Sequence, residues 1–381
     1  MATAVAHGAT LSIMFIARSL EVGGAERQLV TLARELTKRG NRVSIALFYC
    51  RGSLVDEAKE AGIELIDLDK KGRLESAGFL GRTIAAVRRS RPDIVYSMLG
   101  GPNVVAALAK PFIGRTKLVW SILNTGYDSS VDDWLARLAH GLETALSNFP
   151  DIIISNSVAG RDFAIGRNFP PGRTLVVPNG IDTKRFQLDA RLRVQQRRVF
   201  GLDDGDVAIG TLGRLNATKD YPTFLRAAEQ VSRSRLHARF LCVGEGPDRP
   251  QLEQLARDLG IDDRVTFTGE MDPVAALNTF DIACSASVTE GFSNSIAEAM
   301  SCGLPCVVTD VGDSAAIVGE TGIVVPPSSP TALADAIERQ IASLHEHRPE
   351  PARDRIVENF SIEAVTDRTL DIFRSLVSRS L

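Results

Sequence analysis

Short apolar runs alternate along this chain with segments whose apolar residues return every three or four positions. Residues 11–17 form a run that predicts a buried strand. Residues 25–39 follow, with Leu29, Leu32, Ala33 and Leu36 at i, i+3, i+4 and i+7, the spacing of one helix face. Gly40 closes that helix, and residues 42–48 are the next strand. Further strands are predicted at 63–68, 93–98, 117–123, 151–155 and 174–178, with helical patterns between most of them. Repeated strand–helix–strand units predict a parallel sheet with helices on both faces.

A second series of the same kind begins after residues 191–198. Its predicted strands are 207–212, 239–243, 264–268, 281–286, 305–309 and 322–325. Between the series, residues 178–200 are polar and basic with a poor apolar pattern, which predicts an inter-domain connection and an entry helix. The expected architecture is α/β, two Rossmann-like domains whose parallel sheets face each other across a cleft. Domain limits are expected at residues 1–184 and 185–361. A final helix over about 362–381, with Ser361 as N-cap and Glu363 close behind, can pack back on the first domain.

Composition narrows the partners. The 381 residues fit two domains, and 44% apolar with 24% charged residues is the balance of an ordinary globular protein. A net charge of −3 gives no global basic field, which argues against nucleic acid. Cys50, Cys242, Cys284, Cys302 and Cys306 form no C-x-x-C pair, so reduced thiols in a cytoplasmic protein are expected and zinc is not. No apolar run approaches the roughly 20 residues of a membrane span, and no basic segment precedes an apolar stretch at the N-terminus. A soluble protein, at most peripheral on the inner face of a membrane, is the expectation.

The most informative segment is Glu290-Gly291-Phe292-Ser293-Asn294-Ser295-Ile296-Ala297-Glu298. A helix that starts here offers free backbone N–H groups to a phosphate. Its two carboxylates only accept hydrogen bonds, which suits sugar hydroxyls. The competing explanation is a capping box, because Ser295 and Glu298 have the S-x-x-E spacing and Gly303 and Pro305 end the helix. Capping leaves Glu290, Gly291 and an exposed Phe292 unexplained. Arg214 and Lys219 lie just past a predicted strand, where a bidentate guanidinium and a lysine can hold phosphate oxygens, or else form a solvated charged loop. Gly23-Gly24 lies between a strand and a helix, either an ordinary β-α turn, the reading its residues alone favour, or a turn whose amides approach a phosphate. Asp204-Gly205-Asp206 fits a metal-binding D-x-D but falls at the entrance to a strand, where Gly-Asp marks a turn. Gly244-x-Gly246 lacks the third glycine of a dinucleotide fingerprint. His140 lies on an amphipathic pattern from 133 to 146 and is expected to be structural.

With these residues in view, the chain resembles the retaining, nucleotide-sugar-dependent glycosyltransferases of family 4, also called group 1, which have the GT-B fold. Gly213-Arg214-Leu215 with Lys219 resembles their diphosphate-binding pair, and residues 243–247 their glycine turn beside the nucleoside. Residues 290–298 resemble their E-x7-E segment, residues 177–182 their inter-domain motif, and Gly23-Gly24-Ala25-Glu26 their phosphate-facing loop. The resemblance implies sugar transfer from a nucleoside diphosphate sugar to a saccharide or lipid-linked glycan, in polysaccharide or glycoconjugate biosynthesis. It implies retention of configuration, a hexosyl-type reaction, and neither metal nor cofactor. Arg214, Lys219 and Glu290 would carry catalysis. Gly23, Gly24, Gly244, Phe292, Asn294, Ser295 and Glu298 would bind donor, with Glu298 on the ribose, Glu290 on the sugar, and Phe292 either packed on the sugar or simply buried. Many members carry a histidine where Asn124 stands here; Asn124 can hydrogen-bond but is no general base.

The acceptor is expected on the first domain. Arg82, Arg88, Arg89 and Arg91, near Lys70, Lys71 and Arg73, make a basic patch suited to anionic lipid head groups or a lipid diphosphate, or else a solvated helix face. The polar loop 124–132, with Tyr127, can line the acceptor pocket. The alternatives are a nucleotide-sugar epimerase and a non-catalytic nucleotide-sugar binder.

Overall fold

The computed structural model describes residues 10–21, 23–72, 75–123, 134–346 and 348–378, without the side chains of 134–136. The chain divides into two compact units, Met1–Gly180 with Val365–Leu381, and Ile181–Ala364.

The first unit is built on a sheet of seven strands: β1 (Ser12–Ala17), β2 (Arg42–Leu47), β3 (Glu64–Asp67), β4 (Ile94–Met98), β5 (Lys117–Ile122), β6 (Ile152–Ser155) and β7 (Thr174–Val176). Their order is β3-β2-β1-β4-β5-β6-β7, and all pairings are parallel. Alternate residues of β1 serve two cores, as strand geometry requires. Ile13 and Phe15 pack with Leu29, Val30 and Leu36 of the helix Gly24–Lys38. Met14 and Ile16 pack with Phe79, Trp120 and Phe169 on the other face. The last helix, Ile362–Ser378, sends Val365, Leu370 and Phe373 into the first of these cores. Ser361 Oγ accepts from Ala364 N at 3.3 Å, so the serine caps that helix.

The second unit repeats the plan with β8 (Val207–Leu212), β9 (Ala238–Val243), β10 (Val265–Gly269), β11 (Ile282–Ser285), β12 (Cys306–Thr309) and β13 (Gly322–Val325). Their order is β10-β9-β8-β11-β12-β13, again parallel throughout. In each sheet the order reverses once, between β1 and β4 and between β8 and β11. Connections leave such a point in opposite directions, which opens a crevice beyond the carboxyl ends of the strands.

The basic stretch 178–200 is more than a connection. Ile181 and Phe186 are core residues. In the helix Ala190–Val199, Arg197 is only 9% exposed, pairs with Asp281 at 2.9 Å, and donates to the carbonyls of Asp206 at 2.7 Å and Asp203 at 2.9 Å. Arg193 reaches Asp281 and the Phe280 carbonyl. Asp281 also accepts from Ala208 N at 2.7 Å. These arginines join the amino ends of β8 and β11, so their charge is consumed inside the fold. Asp206 likewise accepts from Asp203 N at 3.0 Å and faces Arg239 at 3.5 Å, the turn expected at 204–206.

Candidate active site

At the carboxyl edge of the second sheet, the loops after β8 and β9 are laced together. Gly213 N donates to Val243 O at 3.0 Å, Leu215 N to Glu245 O at 2.9 Å, and Gly244 N to Gly269 O at 2.9 Å. Gly244 has φ +131, and a Cβ there would lie 2.1 Å from Gly213 O. Only glycine fits, and the reason is this backbone approach. Lys219 ends the short turn Ala217–Lys219 and lays its stem over Gly213, where a Cβ would be 3.3 Å from Lys219 Cε. The Tyr221 hydroxyl donates to Gly213 O at 2.9 Å. Burial, with the Cys242 thiol beside it, holds that phenol far above its ordinary pKa, so it remains a donor. Arg214 is exposed, and its guanidinium has no hydrogen-bond or ion-pair partner among the described residues.

The loop after β11 meets the loop after β8 across the switch point. Val288 N donates to Thr218 O at 3.0 Å. Lys219 Nζ pairs with Glu290 Oε1, the two side chains being 26% and 11% exposed. The Ser287 hydroxyl donates to the same carboxylate oxygen at 2.8 Å. Ser287 is itself fixed, because the Thr309 hydroxyl donates to its carbonyl at 2.6 Å and Ser285 Oγ lies 3.2 Å from its hydroxyl. From the β12 side, Asp313 N donates to Gly291 O at 3.0 Å. Ser287 and Thr309 were not among the residues singled out from the sequence; the only local signal is a serine three positions before Glu290.

The helix that follows is Asn294–Ser301, with Ser293 as its N-cap. The capping box is therefore not formed: Ser295 lies inside the first turn rather than at the cap. Ser293 Oγ makes no cap bond and, like the nearby Ser314 Oγ, is buried without a partner among the described residues. The C-terminus follows the expected punctuation. Gly303 has φ +77 and donates to Met300 O at 2.9 Å, and Leu304 N donates to Ala299 O at 3.0 Å, a Schellman arrangement. Glu298 is buried at 7% exposure. Burial, and then the Glu298 carboxylate, push the Cys302 thiol up to about 12, so this sulfur is no nucleophile at neutral pH. Phe292 is corrected by the structure. It is 5% exposed, its ring centroid lies 5.5 Å from that of Phe360, and it belongs to the core. The ring anchors the loop from below and is not free to stack on a ligand.

In the first unit, Gly23 caps the helix Gly24–Lys38 just beyond β1. The Glu26 carboxylate folds over it, so that a Cβ on Gly23 would lie 2.2 Å from Glu26 Oε2. Across the switch point, Leu99 takes φ +68 before the helix Gly100–Ala109. Below it lies a buried network that no local motif announced. The Asn103 amide donates to Glu143 Oε1 at 2.9 Å and to Ser121 O at 3.1 Å, and accepts from Ser97 at 2.7 Å. Arg167 lies 3.9 Å from Glu143 and donates to the His140 carbonyl at 2.7 Å, which places His140 in a structural helix. Only a pairing through space could have found it. Asn124, Tyr127 and Arg73 lie outside the described residues.

Among the described residues, the members of the expected basic patch part company. Arg82 turns inward to the carbonyls of Leu68 and Asp69 at 2.9 and 2.8 Å and to Glu75 at 2.8 Å. Lys71 pairs with Asp69 at 2.5 Å. Arg88 and Arg91 instead line a groove of about 840 Å³ with Phe112, Arg115 and Lys117, at the amino ends of β4 and β5.

Among the described residues, no helix is long and apolar enough to cross a membrane. The family model described as Glycosyltransferase Family 4 matches residues 22–185, and that described as Glycosyl transferases group 1 matches residues 206–343. The chain is 27% identical over 300 residues to the N-acetyl-alpha-D-glucosaminyl L-malate synthase of Bacillus anthracis, a match covering 75% of each chain. It is 34% identical over 223 residues to the D-inositol 3-phosphate glycosyltransferase of Rhodococcus erythropolis, covering 54% of this chain and 49% of that one. Among solved structures, HepE of Anabaena in complex with UDP superposes with a TM-score of 0.84 at 21% identity, over 96% of this chain and 100% of that one. The fold is therefore GT-B, with two parallel-sheet Rossmann-like domains, and the chain belongs to the group 1 glycosyltransferases.

Proposed function

We propose that this protein transfers a sugar from a nucleoside diphosphate sugar to a hydroxyl of a saccharide or lipid-linked glycan, with retention of configuration. The observation that carries this reading is the meeting of Lys219 and Glu290 at the β8/β11 switch point, beside Arg214 and ahead of the helix Asn294–Ser301. A departing diphosphate develops negative charge. Arg214, Lys219 and the backbone N–H groups around Asn294 and Ser295 stabilise it without needing a metal, because fixed donors and cations cost no reorganisation during reaction. Glu290 accepts from the donor sugar's hydroxyls and Glu298 from the ribose, each as an acceptor-only group. The Gly244 turn lies against the nucleoside. With few candidate bases in the second unit, the leaving diphosphate itself takes the acceptor proton on the face it departs from.

The first unit holds the acceptor, and Gly23, Gly24 and Asn124 are its candidate binding residues. We assign the protein to the cytoplasm. The groove of Arg88, Arg91, Arg115 and Lys117, with Phe112 50% exposed at its rim, supports a peripheral contact with an anionic membrane.

The test is turnover. A panel of UDP- and GDP-sugars is incubated with the protein and saccharide or lipid-linked acceptors, and released nucleoside diphosphate and the product's anomeric configuration are measured. Acceptor-dependent release with retained configuration is expected. Donor that binds but never reacts would make the protein a binder, and a free epimerised nucleotide sugar would make it an epimerase.

A further inference from the structure

The two groups assigned above to different halves of the donor are also partners of each other. Lys219 is assigned to the diphosphate and Glu290 to the sugar, yet Lys219 Nζ and Glu290 Oε1 form an ion pair. The Glu290 side chain is 11% exposed, so little water can replace a lost partner. Among the described residues its other donor is the Ser287 hydroxyl at 2.8 Å, which holds the carboxylate in place through the chain of Ser285, Ser287 and Thr309.

The consequences differ for substrate and product. A nucleotide sugar that draws Lys219 to its phosphates brings sugar hydroxyls that donate to Glu290, so both groups stay satisfied. A bare nucleoside diphosphate draws Lys219 away and brings nothing for Glu290. It leaves a largely buried carboxylate without the Lys219 cation, the costly outcome for a charge that loses its partner. We propose that the Lys219–Glu290 pair is a product-release latch: it re-forms when the sugar has left, competes with the spent nucleoside diphosphate for Lys219, and so favours sugar-bearing over sugar-free nucleotide. The inference rests on the donor-site assignment proposed above. Ser287 is a positioning residue, since it keeps Glu290 where both Lys219 and a sugar can reach it.

The latch makes a prediction of opposite signs from one substitution. Glu290→Gln keeps the size of the side chain and removes the competing charge. Calorimetric titrations of UDP, GDP, UDP-glucose, UDP-N-acetylglucosamine and GDP-mannose are run on wild type and variant. The variant is expected to bind the free diphosphate roughly three- to tenfold more tightly, the range of a partly buried ion pair. It is expected to bind the matching nucleotide sugar more weakly, so the preference for sugar-bearing nucleotide falls. If Glu290→Gln does not fold, Glu290→Ala carries the same expectation. A variant that binds the diphosphate no better than wild type overturns the latch and leaves the transferase reading standing. A wild type that binds neither UDP nor GDP removes both.

Discussion

At the scale of single residues, the chemistry of this site is set by what each side chain already touches. The Arg214 guanidinium has no partner among the described residues, whereas Lys219, Glu290 and Ser287 are locked to one another. The sequence made Arg214, Lys219 and Glu290 visible because charged residues directly after strands stand out against an apolar pattern. It misplaced Phe292 as exposed and left its role open between packing on a sugar and burying itself, because one aromatic residue between glycine and serine has no period and its partner Phe360 is far away along the chain. It also overvalued Ser295, because S-x-x-E spacing does not reveal that the N-cap is Ser293, two residues earlier. If Phe292 anchors the loop from the core, Phe292→Ala costs about 3 kcal/mol of unfolding free energy, the usual scale for a buried aromatic. Chemical denaturation measures this, and a loss under ~1 kcal/mol would put the ring on the surface.

At the scale of elements, strands were legible and their supporting polar bonds were not. Continuous apolar runs located the thirteen strands among the described residues to within a residue or two, because both faces of a parallel sheet are buried. The helix Ala190–Val199 was legible as a helix, but its arginines looked like solvated charge; only Asp281, brought beside them by the fold, gives them their role. The start of β5 shows the same principle in a testable form. Asp151, just before β6, accepts from Leu118 N at 2.8 Å and pairs with Lys110 at 2.6 Å. Burial acts to raise its pKa, but Lys110, the Leu118 amide and Lys117 outweigh it, and the net shift is downward. A carboxyl depressed in the folded state stabilises fully above its unfolded pKa, near ~4, and loses that stabilisation as pH falls through the lower folded value. Asp151→Asn removes this contribution. The decline of unfolding free energy between about pH 7 and about pH 3 is expected to be shallower in the variant than in wild type. Parallel curves would mean that Asp151 carries none of the acid sensitivity.

At the scale of the whole molecule, the repeat of one architectural plan matters more than overall charge. Two units with reversed strand order each present a switch point, which is why the resemblance could be recognised from ordered motifs spread over both halves. What could not be read is how residues distant in sequence close on one another, as the Asn103–Glu143 bond and the Ser287–Thr309 bond do. The net charge of −3 provides no attraction for a polyanionic ligand, so affinity for a diphosphate has to come from cations placed locally. That places the burden on Arg214 and Lys219. The direct test is calorimetric titration of UDP and GDP into wild type and into the Arg214→Ala/Lys219→Ala double variant. The account predicts that wild type binds at least one of the two and that the double variant loses about tenfold or more in affinity, the scale of two charge-assisted contacts. Equal affinity in the two proteins would contradict it.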